Sequence, residues 1–190
     1  GVRHTLSTDV VPACNRGMSP KDGFRYDGCP ANIGRSFMEW APHVTVATVV
    51  ERDGTFLLVH EYDTFRQQMV YNQPAGHWDE GETLLAAAIR ETREETAWQV
   101  ELTHWLGLYS YLAPSNGYMY LRVAFVGEPR AFLDTPLDEG IREAVWLDYE
   151  TIAAKDAAGE LRSPLVRKVI DDYLAGRRLP LESLYEHTPV

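Results

Sequence analysis

The segment from Gly76 to Trp98, GHWDEGETLLAAAIRETREETAW, most constrains what this 190-residue chain can fold into. An α-helix has about 3.6 residues per turn, so steps of three and four residues place side chains on one face. Glu91, Glu94 and Glu95 are separated by such steps. The pattern therefore predicts an amphipathic helix that begins near Thr83, buries one face and carries three carboxylates on the neighbouring face.

The face of this predicted helix that we expect to pack against a core has five members. They are Leu85, Ala88, Ile89, Thr92 and Thr96. The acidic face beside it is a cluster of like charges, which lowers helix stability unless a positive charge lies nearby. A hard divalent cation held by carboxylate oxygens would balance the cluster. The alternative interpretation is an ordinary solvated acidic surface with exposed ion pairs.

Six residues in and before this helix occur at a fixed spacing: Gly76, Glu82, Arg90, Glu91, Glu94 and Glu95. They resemble the Nudix box, G-x5-E-x7-R-E-U-x-E-E-x-G-U, in which U is a bulky apolar residue. Two positions depart from it. Thr92 stands at the first U, and Ala97 replaces the final glycine, which usually lets the helix end in a left-handed turn.

Four further segments resemble those of the NudJ-type phosphatases, a subgroup of the Nudix family. They are APHVTVATVV, YNQPAGHWDEGETL, YLRVAF and LRSPLV. The resemblance covers most of the chain from Met38 to about Leu181. It implies an α+β Nudix fold in which a mixed β-sheet is sandwiched between helices (α/β/α) and the box forms a strand, a loop, a helix and a second loop.

The resemblance also implies an enzyme that hydrolyses phosphoanhydride bonds in small di- and triphosphates. The expected cofactor is Mg²⁺, with Mn²⁺ as a possible substitute, and the expected substrates are nucleoside di- or triphosphates or a pyrimidine pyrophosphate. Two alternatives stay open. One is a pyrophosphohydrolase of nucleoside diphosphates linked to another group, and the other is a non-catalytic ligand-sensing domain that keeps the fold.

By the same resemblance, the metal ligands are expected to be Glu91, Glu95, Glu94 and the backbone carbonyl of Gly76. Glu94 either binds metal or orients the attacking water. Arg90 and Glu82 are expected to organise the acidic cluster, because the rigid fork of an arginine can hold a carboxylate in place. An ordinary structural ion pair is the alternative for these two residues.

Candidate substrate-binding residues lie outside the helix. Arg122 in YLRVAF either faces polyphosphate or points to solvent, and His77 lies in the expected loop beside Gly76. Four aromatic residues could stack on a planar ring or simply fill the core: Tyr62, Trp78, Tyr118 and Tyr120.

Family members often recruit a further acidic residue from a late loop, which here is the segment 138–143. The corresponding position is Gly140. Either Glu139 or Glu143 could supply that acid, whereas a solvated acidic loop is the alternative.

Short segments of β-branched and aromatic residues predict strands around the helix. They are His43–Val50 and Thr55–His60, joined by an Asp53-Gly54 hairpin turn, then Trp98–Tyr111, Tyr118–Val126 and Ala144–Leu147. Ser163-Pro164 predicts the N-cap of a last helix that ends near Leu174.

The net charge of −10 argues against nucleic acid polymers or an anionic membrane surface as partners. It does not exclude a small phosphorylated metabolite, because bound metal ions reverse the local sign. The sequence contains no run of about 18 apolar residues, which is the pattern that would predict a membrane span. We expect a cytoplasmic monomer or homodimer.

Residues 1–37 differ in composition from the rest of the chain. They are rich in glycine and proline, are net basic, and contain both cysteines, Cys14 and Cys29, for which a disulfide is possible. Met38 is followed directly by the first predicted strand. We therefore expect 1–37 to be a peripheral or non-native N-terminal extension and 38–190 to be the Nudix domain.

Overall fold

The computed structural model describes residues 41–187. In this part of the chain, seven strands, three α-helices and one 3₁₀ helix follow one another. They are β1 (His43–Arg52), β2 (Thr55–Asp63), β3 (Gln68–Asn72), β4 (Ala75–His77), α1 (Leu84–Thr96), β5 (Trp98–Leu112), β6 (Met119–Phe132), β7 (Ile141–Asp148), α2 (Tyr149–Ala157), α3 (Pro164–Leu174) and the 3₁₀ helix Leu181–Ser183.

The strands form one mixed sheet, in the order β3-β2-β1-β6-β5, with β4 paired to β1 and β7 paired to β2. Strands β1 and β6 are parallel, and the other pairs are antiparallel. The predicted hairpin is confirmed, since Asp53 and Gly54 both adopt positive φ at the turn between β1 and β2. These two strands pair only next to the turn, at Glu51–Phe56 and Arg52–Thr55. Beyond it each strand pairs with other neighbours.

The sheet is buried on both faces, which confirms the predicted sandwich. Side chains alternate along a strand, so Val46 and Val50 of β1 pack in a core with Ala87 and Ala88 of α1. Val49 points to the other face, into a second core that includes residues of α2 and α3. Helix α1 therefore covers one face of the sheet, while α2 and α3 cover the other.

Helix α1 begins and ends close to the predicted positions. Its N-cap is Thr83, whose side chain accepts a hydrogen bond from the backbone N–H of Ala86 at 3.0 Å. The buried face consists of Ala87, Ala88, Glu91, Thr92, Glu95 and Thr96. The expectation for Ile89 was wrong: it is 37% exposed, because it is one residue, or about 100°, away from the Ala88 row.

Three further differences separate the structure from the sequence predictions. Strand β2 continues past His60 to Asp63. Gly76 and His77 lie in the short strand β4, paired with β1, rather than in a loop. Helix α2 was not predicted, because it is only nine residues long and follows β7 without a break. Asp148, the last residue of β7, is its N-cap and accepts a hydrogen bond from Thr151 at 2.7 Å.

Three expectations concern segments that lie outside the described residues or cross their boundary. These expectations are the N-terminal extension 1–37, its boundary at Met38 and the possible Cys14–Cys29 disulfide. All three stay predictions, because the described residues begin at 41. Within 41–187, none of the helices has the length and apolar character needed to cross a bilayer.

Candidate active site

A cavity of about 1030 Å³ lies where β1 and β2 have diverged. One wall contains Gly76 of β4 and Glu91 and Glu95 of α1. Another wall contains residues of β2 and the segment that leads into α3, and the β5–β6 hairpin contributes a third. The volume is at the upper end of the range for small-molecule sites and exceeds what a diphosphate alone would fill.

Glu91 and Glu95 are one helical turn apart, line the cavity and are 9% and 8% exposed. Both carboxylates therefore lie on the wall of the same cavity, and their role as metal ligands stays a prediction. The Oε2 atom of Glu95 accepts a hydrogen bond from the backbone N–H of Ala75 at 2.8 Å, which directs the carboxylate toward β4. Burial raises the pKa of Glu95 well above its ordinary value and that of Glu91 less strongly, since Arg90 partly offsets it. Burying two carboxylates side by side is unfavourable without a compensating cation.

Arg90 connects the acidic residues of the predicted site. Its Nε and Nη2 atoms donate to the two carboxylate oxygens of Glu82 at 3.0 and 2.6 Å, which is a bidentate pair. Nη1 donates to Glu91 at 2.7 Å and to Glu94 at 3.2 Å. The hydrogen bonds from Arg90 lower the pKa of Glu82 despite some burial. Arg90 thus contacts three carboxylates, and its role in organising the acidic cluster stays a prediction.

Glu94 has a different environment from its two neighbours. It does not line the cavity, and its carboxylate accepts hydrogen bonds from Arg90 and from Arg93, the latter at 3.2 Å. The late loop contacts the end of α1 here, because the N–H of Asp138 donates to the carbonyl of Glu94 at 3.1 Å. The role of Glu94 as a ligand or water-orienting group stays a prediction.

Neither acid proposed from the late loop reaches the cavity. Glu139 is exposed beside Gly140, which has a φ of 91°. Glu143 lies on β7, with its carboxylate 3.4 Å from Nδ1 of His60. These positions favour the interpretation of 138–143 as a solvated acidic loop.

Gly76 allows α1 and β4 to approach each other closely. A Cβ atom at this position would lie 2.2 Å from the carboxyl carbon of Glu91, far inside van der Waals contact. Its φ angle is not positive, so the requirement for glycine is one of space and not of backbone conformation. The glycine that precedes the acidic helix in the sequence therefore leaves the space that the carboxylate of Glu91 occupies.

The carboxylates of this site suit a magnesium ion. Within the described range 41–187, no three His, Cys, Asp or Glu side chains converge closely enough to form a complete cage. Mg²⁺ does not need one, since it commonly keeps several waters and binds through one or two carboxylates together with substrate phosphates. Glu91 and Glu95, both buried, provide such a pair beside an open cavity.

The two candidate substrate-binding residues both line the cavity. Arg122 is 8% exposed and donates to Gln73 at 3.2 Å and to Asn72 at 3.4 Å, so the alternative of a solvent-facing residue was wrong. Burial lowers the pKa of Arg122 to about 10. His77 is exposed at the rim, and its ring lies 5.8 Å from that of His43. The pKa of His77 is lowered, mainly by partial burial and to a smaller extent by the charge of His43.

The four aromatic candidates separate into two groups. Tyr120 lines the cavity, and Tyr118 lies next to it, with its ring stacked on His43 at 4.7 Å. Tyr62 and Trp78 do not line the cavity. The indole Nε1 of Trp78 donates instead to the carbonyl of Glu82 at 2.8 Å.

Sequence reasoning missed six charged residues that line this cavity: Glu61, Asp63, Arg66, Asp79, Asp156 and Arg162. The β2–β7 pairing is irregular between His60 and Glu61, and such bulges redirect side chains. Glu61 is only 15% exposed in its side chain and accepts a hydrogen bond from Asn72 at 3.0 Å. The available signal was a carboxylate in an otherwise buried strand, but the predicted strand ended one residue before it.

A family model described as the NUDIX domain matches residues 41–169. Among curated proteins, Phosphatase NudJ of Escherichia coli strain K12 is 40% identical over 144 residues, which are 75% of this chain and 90% of that protein. Phosphatase NudJ of Shigella flexneri matches with the same identity and coverage.

Solved structures show the same similarity. A NUDIX hydrolase from Nitrosomonas europaea superposes with a TM-score of 0.72 at 41% identity, covering 77% of this chain and 98% of that one. A MutT protein from Methanosarcina mazei Go1 superposes with a TM-score of 0.60 at 19% identity, covering 74% and 99% of the two chains. The second similarity concerns the fold alone.

Proposed function

Because this chain belongs to the Nudix hydrolase family, we propose that it is a Mg²⁺-dependent phosphatase of small di- and triphosphates. The proposed substrates are nucleoside di- or triphosphates or a pyrimidine pyrophosphate, and the proposed product is orthophosphate. The observation that carries the proposal is the pair of buried carboxylates, Glu91 and Glu95, on the wall of a cavity large enough for a substituted polyphosphate.

Glu91, Glu95 and the backbone carbonyl of Gly76 are the groups that would hold the metal. Bound there, Mg²⁺ would neutralise charge on the phosphate oxygens and make a water molecule more acidic. Phosphoryl transfer requires mainly positioning and charge stabilisation from the protein. Arg90 and Glu82 supply the positioning by holding the Glu91 carboxylate, and Arg122 places a buried positive charge at the cavity for the substrate.

Release of a terminal phosphate is favoured over pyrophosphohydrolysis by the similarity to proteins named Phosphatase NudJ, which covers 90% of their length. Tyr120 in the cavity lining and Tyr118 at its edge support a substrate that carries a planar ring. The cytoplasmic location is part of the same proposal.

The direct test of the metal assignment is Glu95→Gln, which removes the charge and keeps the shape. We expect kcat to fall by on the order of 100-fold or more, equivalent to about 2.7 kcal/mol, because a neutral amide is a poor magnesium ligand. Magnesium affinity, measured by isothermal titration calorimetry without substrate, should weaken in parallel. The matched control is Glu101→Gln, since Glu101 is an exposed residue that pairs with Arg130 at the surface.

Unchanged turnover of a folded Glu95→Gln variant would exclude Glu95 as a metal ligand. The reaction itself is tested with a panel of phosphorylated metabolites and Mg²⁺, with the products resolved by ion chromatography. Orthophosphate together with the substrate shortened by one phosphate is expected. Release of a nucleoside monophosphate would instead identify the pyrophosphohydrolase alternative.

A further inference from the structure

Arg162 occupies a fixed position on the cavity wall between α2 and α3. Its backbone N–H donates to the carbonyl of Tyr71 in β3 at 2.9 Å, and the N–H of Tyr71 donates to the carbonyl of Glu160 at 2.8 Å. These two bonds attach the connecting segment to the edge of the sheet. The side chain of Arg162 lines the cavity and is 31% exposed, so it starts from a rigid base and reaches accessible space.

The guanidinium of Arg162 has unused donors. Its nearest charged partners are Glu61 and Asp63, each with an N–O distance of 3.6 Å, which is too long for a good hydrogen bond. Among residues 41–187, its side chain makes no hydrogen bond within 3.5 Å. Arg66 in the same cavity differs, because it donates at 2.7 Å to the carbonyls of both Leu161 and Gly159 and has a structural role.

Glu61 and Asp63 thus balance the charge of Arg162 without saturating it. Both are largely buried, with side chains 15% and 4% exposed, and Asp63 already accepts hydrogen bonds from the backbone N–H groups of Phe65 and Arg66. A guanidinium presents five donors in a planar fork that matches the oxygens of a phosphate. A phosphate entering the cavity could therefore form short bonds that the two carboxylates do not provide.

We propose that Arg162 binds a phosphate group of the substrate other than the one being cleaved, and so makes the enzyme selective for a chain of two or more phosphates. This proposal rests on the proposed function, which places the reacting phosphate at Glu91 and Glu95. Arg162 belongs to a different wall of the same cavity, formed by β2 and the start of α3. The alternative is that Arg162 only connects β2 to the segment before α3.

The experiment compares Arg162→Gln and Arg162→Lys with Arg130→Gln. Arg130 is a control on β6, exposed and ion-paired with Glu101 and Glu128 at 2.8 Å. For a nucleoside triphosphate with Mg²⁺, we expect Arg162→Gln to raise KM by about 10- to 100-fold, the usual range for a lost hydrogen bond to a charged group. The change in kcat should stay within about threefold, and Arg162→Lys should recover part of the loss in KM.

A purely structural role gives a different result. In that case Arg162→Gln lowers the thermal midpoint, or lowers kcat through misplacement of the site, while KM stays at the wild-type value. That result would overturn the proposal. Arg130→Gln should match the wild-type protein in both kinetic parameters.

A binding measurement separates this proposal from the proposed function. Inorganic tripolyphosphate, which carries no ring, is titrated into the wild-type and variant proteins with Mg²⁺ by isothermal titration calorimetry. We expect its Kd to weaken by about 10-fold or more in Arg162→Gln. An unchanged Kd overturns the role of Arg162, whether or not the protein turns over any substrate. If the wild-type protein hydrolyses none of the panel, the proposed function fails on its own.

Discussion

The close contact between Gly76 and Glu91 illustrates how single residues define this site. The carboxylate of Glu91 lies only 2.2 Å from the position that the Cβ atom of any other residue at position 76 would take. It is also held from the other side by Nη1 of Arg90 at 2.7 Å. The Glu91 carboxylate is therefore confined between the guanidinium of Arg90 and the backbone of β4, which has no side chain at Gly76.

Gly76→Ala should inactivate the protein without unfolding it. The added methyl group displaces the flexible end of Glu91 from the cavity wall, so we expect activity to fall by on the order of 100-fold while the melting temperature changes little. Activity per folded molecule and thermal unfolding are the two measurements.

The control for this variant is Gly54→Ala. Open space surrounds Gly54, but its φ of 80° is strained for alanine, so this change should lower stability and preserve activity. Full activity in Gly76→Ala would show that the contact with Glu91 has no functional role.

At the level of elements, the ends of the helices show where local sequence signals hold and where they do not. Ala97 replaces the glycine expected after α1, yet it adopts φ 57° and ψ 12°, and its N–H donates to the carbonyl of Arg93 at 2.8 Å. Helix α1 thus still ends in a left-handed turn, although this conformation is about 1 kcal/mol less favourable for alanine than for glycine. Ala97 is also 1% exposed, so packing around it holds the exit in place.

Ser163 precedes α3 as predicted, but its side chain makes no cap bond, and its buried Oγ has no partner among the described residues. We therefore expect Ser163→Ala to change the free energy of unfolding by less than about 0.5 kcal/mol, because no hydrogen bond is lost. Thr83→Ala, which removes the cap of α1, should lower it by about 1 kcal/mol. Urea denaturation of both variants provides the comparison, and equal losses would contradict this view of Ser163.

At the scale of the whole molecule, α3 is attached to the sheet by a buried polar contact as well as by its apolar face. Tyr109 of β5 donates to Oδ2 of Asp172 at 2.9 Å, and Lys168 donates to Oδ1 at 2.6 Å. Burial alone would raise the pKa of Asp172, but these hydrogen bonds outweigh it and hold the pKa below its ordinary value of 3.8. The ionised carboxylate therefore stabilises the folded state.

Tyr109→Phe should lower the free energy of unfolding by about 1.5–3 kcal/mol at pH 7, the usual range for a hydrogen bond to a charged group. Since the folded pKa of Asp172 is depressed, this contribution is present above about pH 4 and is lost as the pH falls through the folded value. Urea denaturation at pH 7 and pH 3 should show the loss shrinking at the lower pH. Tyr62→Phe, at an exposed position, should have no effect, and a pH-independent loss in Tyr109→Phe would contradict the assigned link to Asp172.

The sequence alone determined the features that depend on short-range periodicity. Once the segment is helical, the spacing of Glu91, Glu94 and Glu95 places them on one face whatever the rest of the fold is. The Asp53-Gly54 turn is likewise set by neighbouring residues. Helix α1 and the hairpin were therefore predictable from local patterns, whereas the sandwich of helices around a mixed sheet followed from the family resemblance, and the structure confirms all three.

Only the tertiary structure decided which charged side chains share the cavity. Glu61 and Arg162 are about a hundred residues apart in sequence, and they meet because a bulge redirects one and a bridge to Tyr71 fixes the other. Glu94 lies on the same helix as Glu91 and Glu95 but does not line the cavity. Helical periodicity predicts which side chains share a face of a helix. Which of those side chains line a cavity depends on packing between segments that are far apart in sequence, and no local pattern encodes that packing.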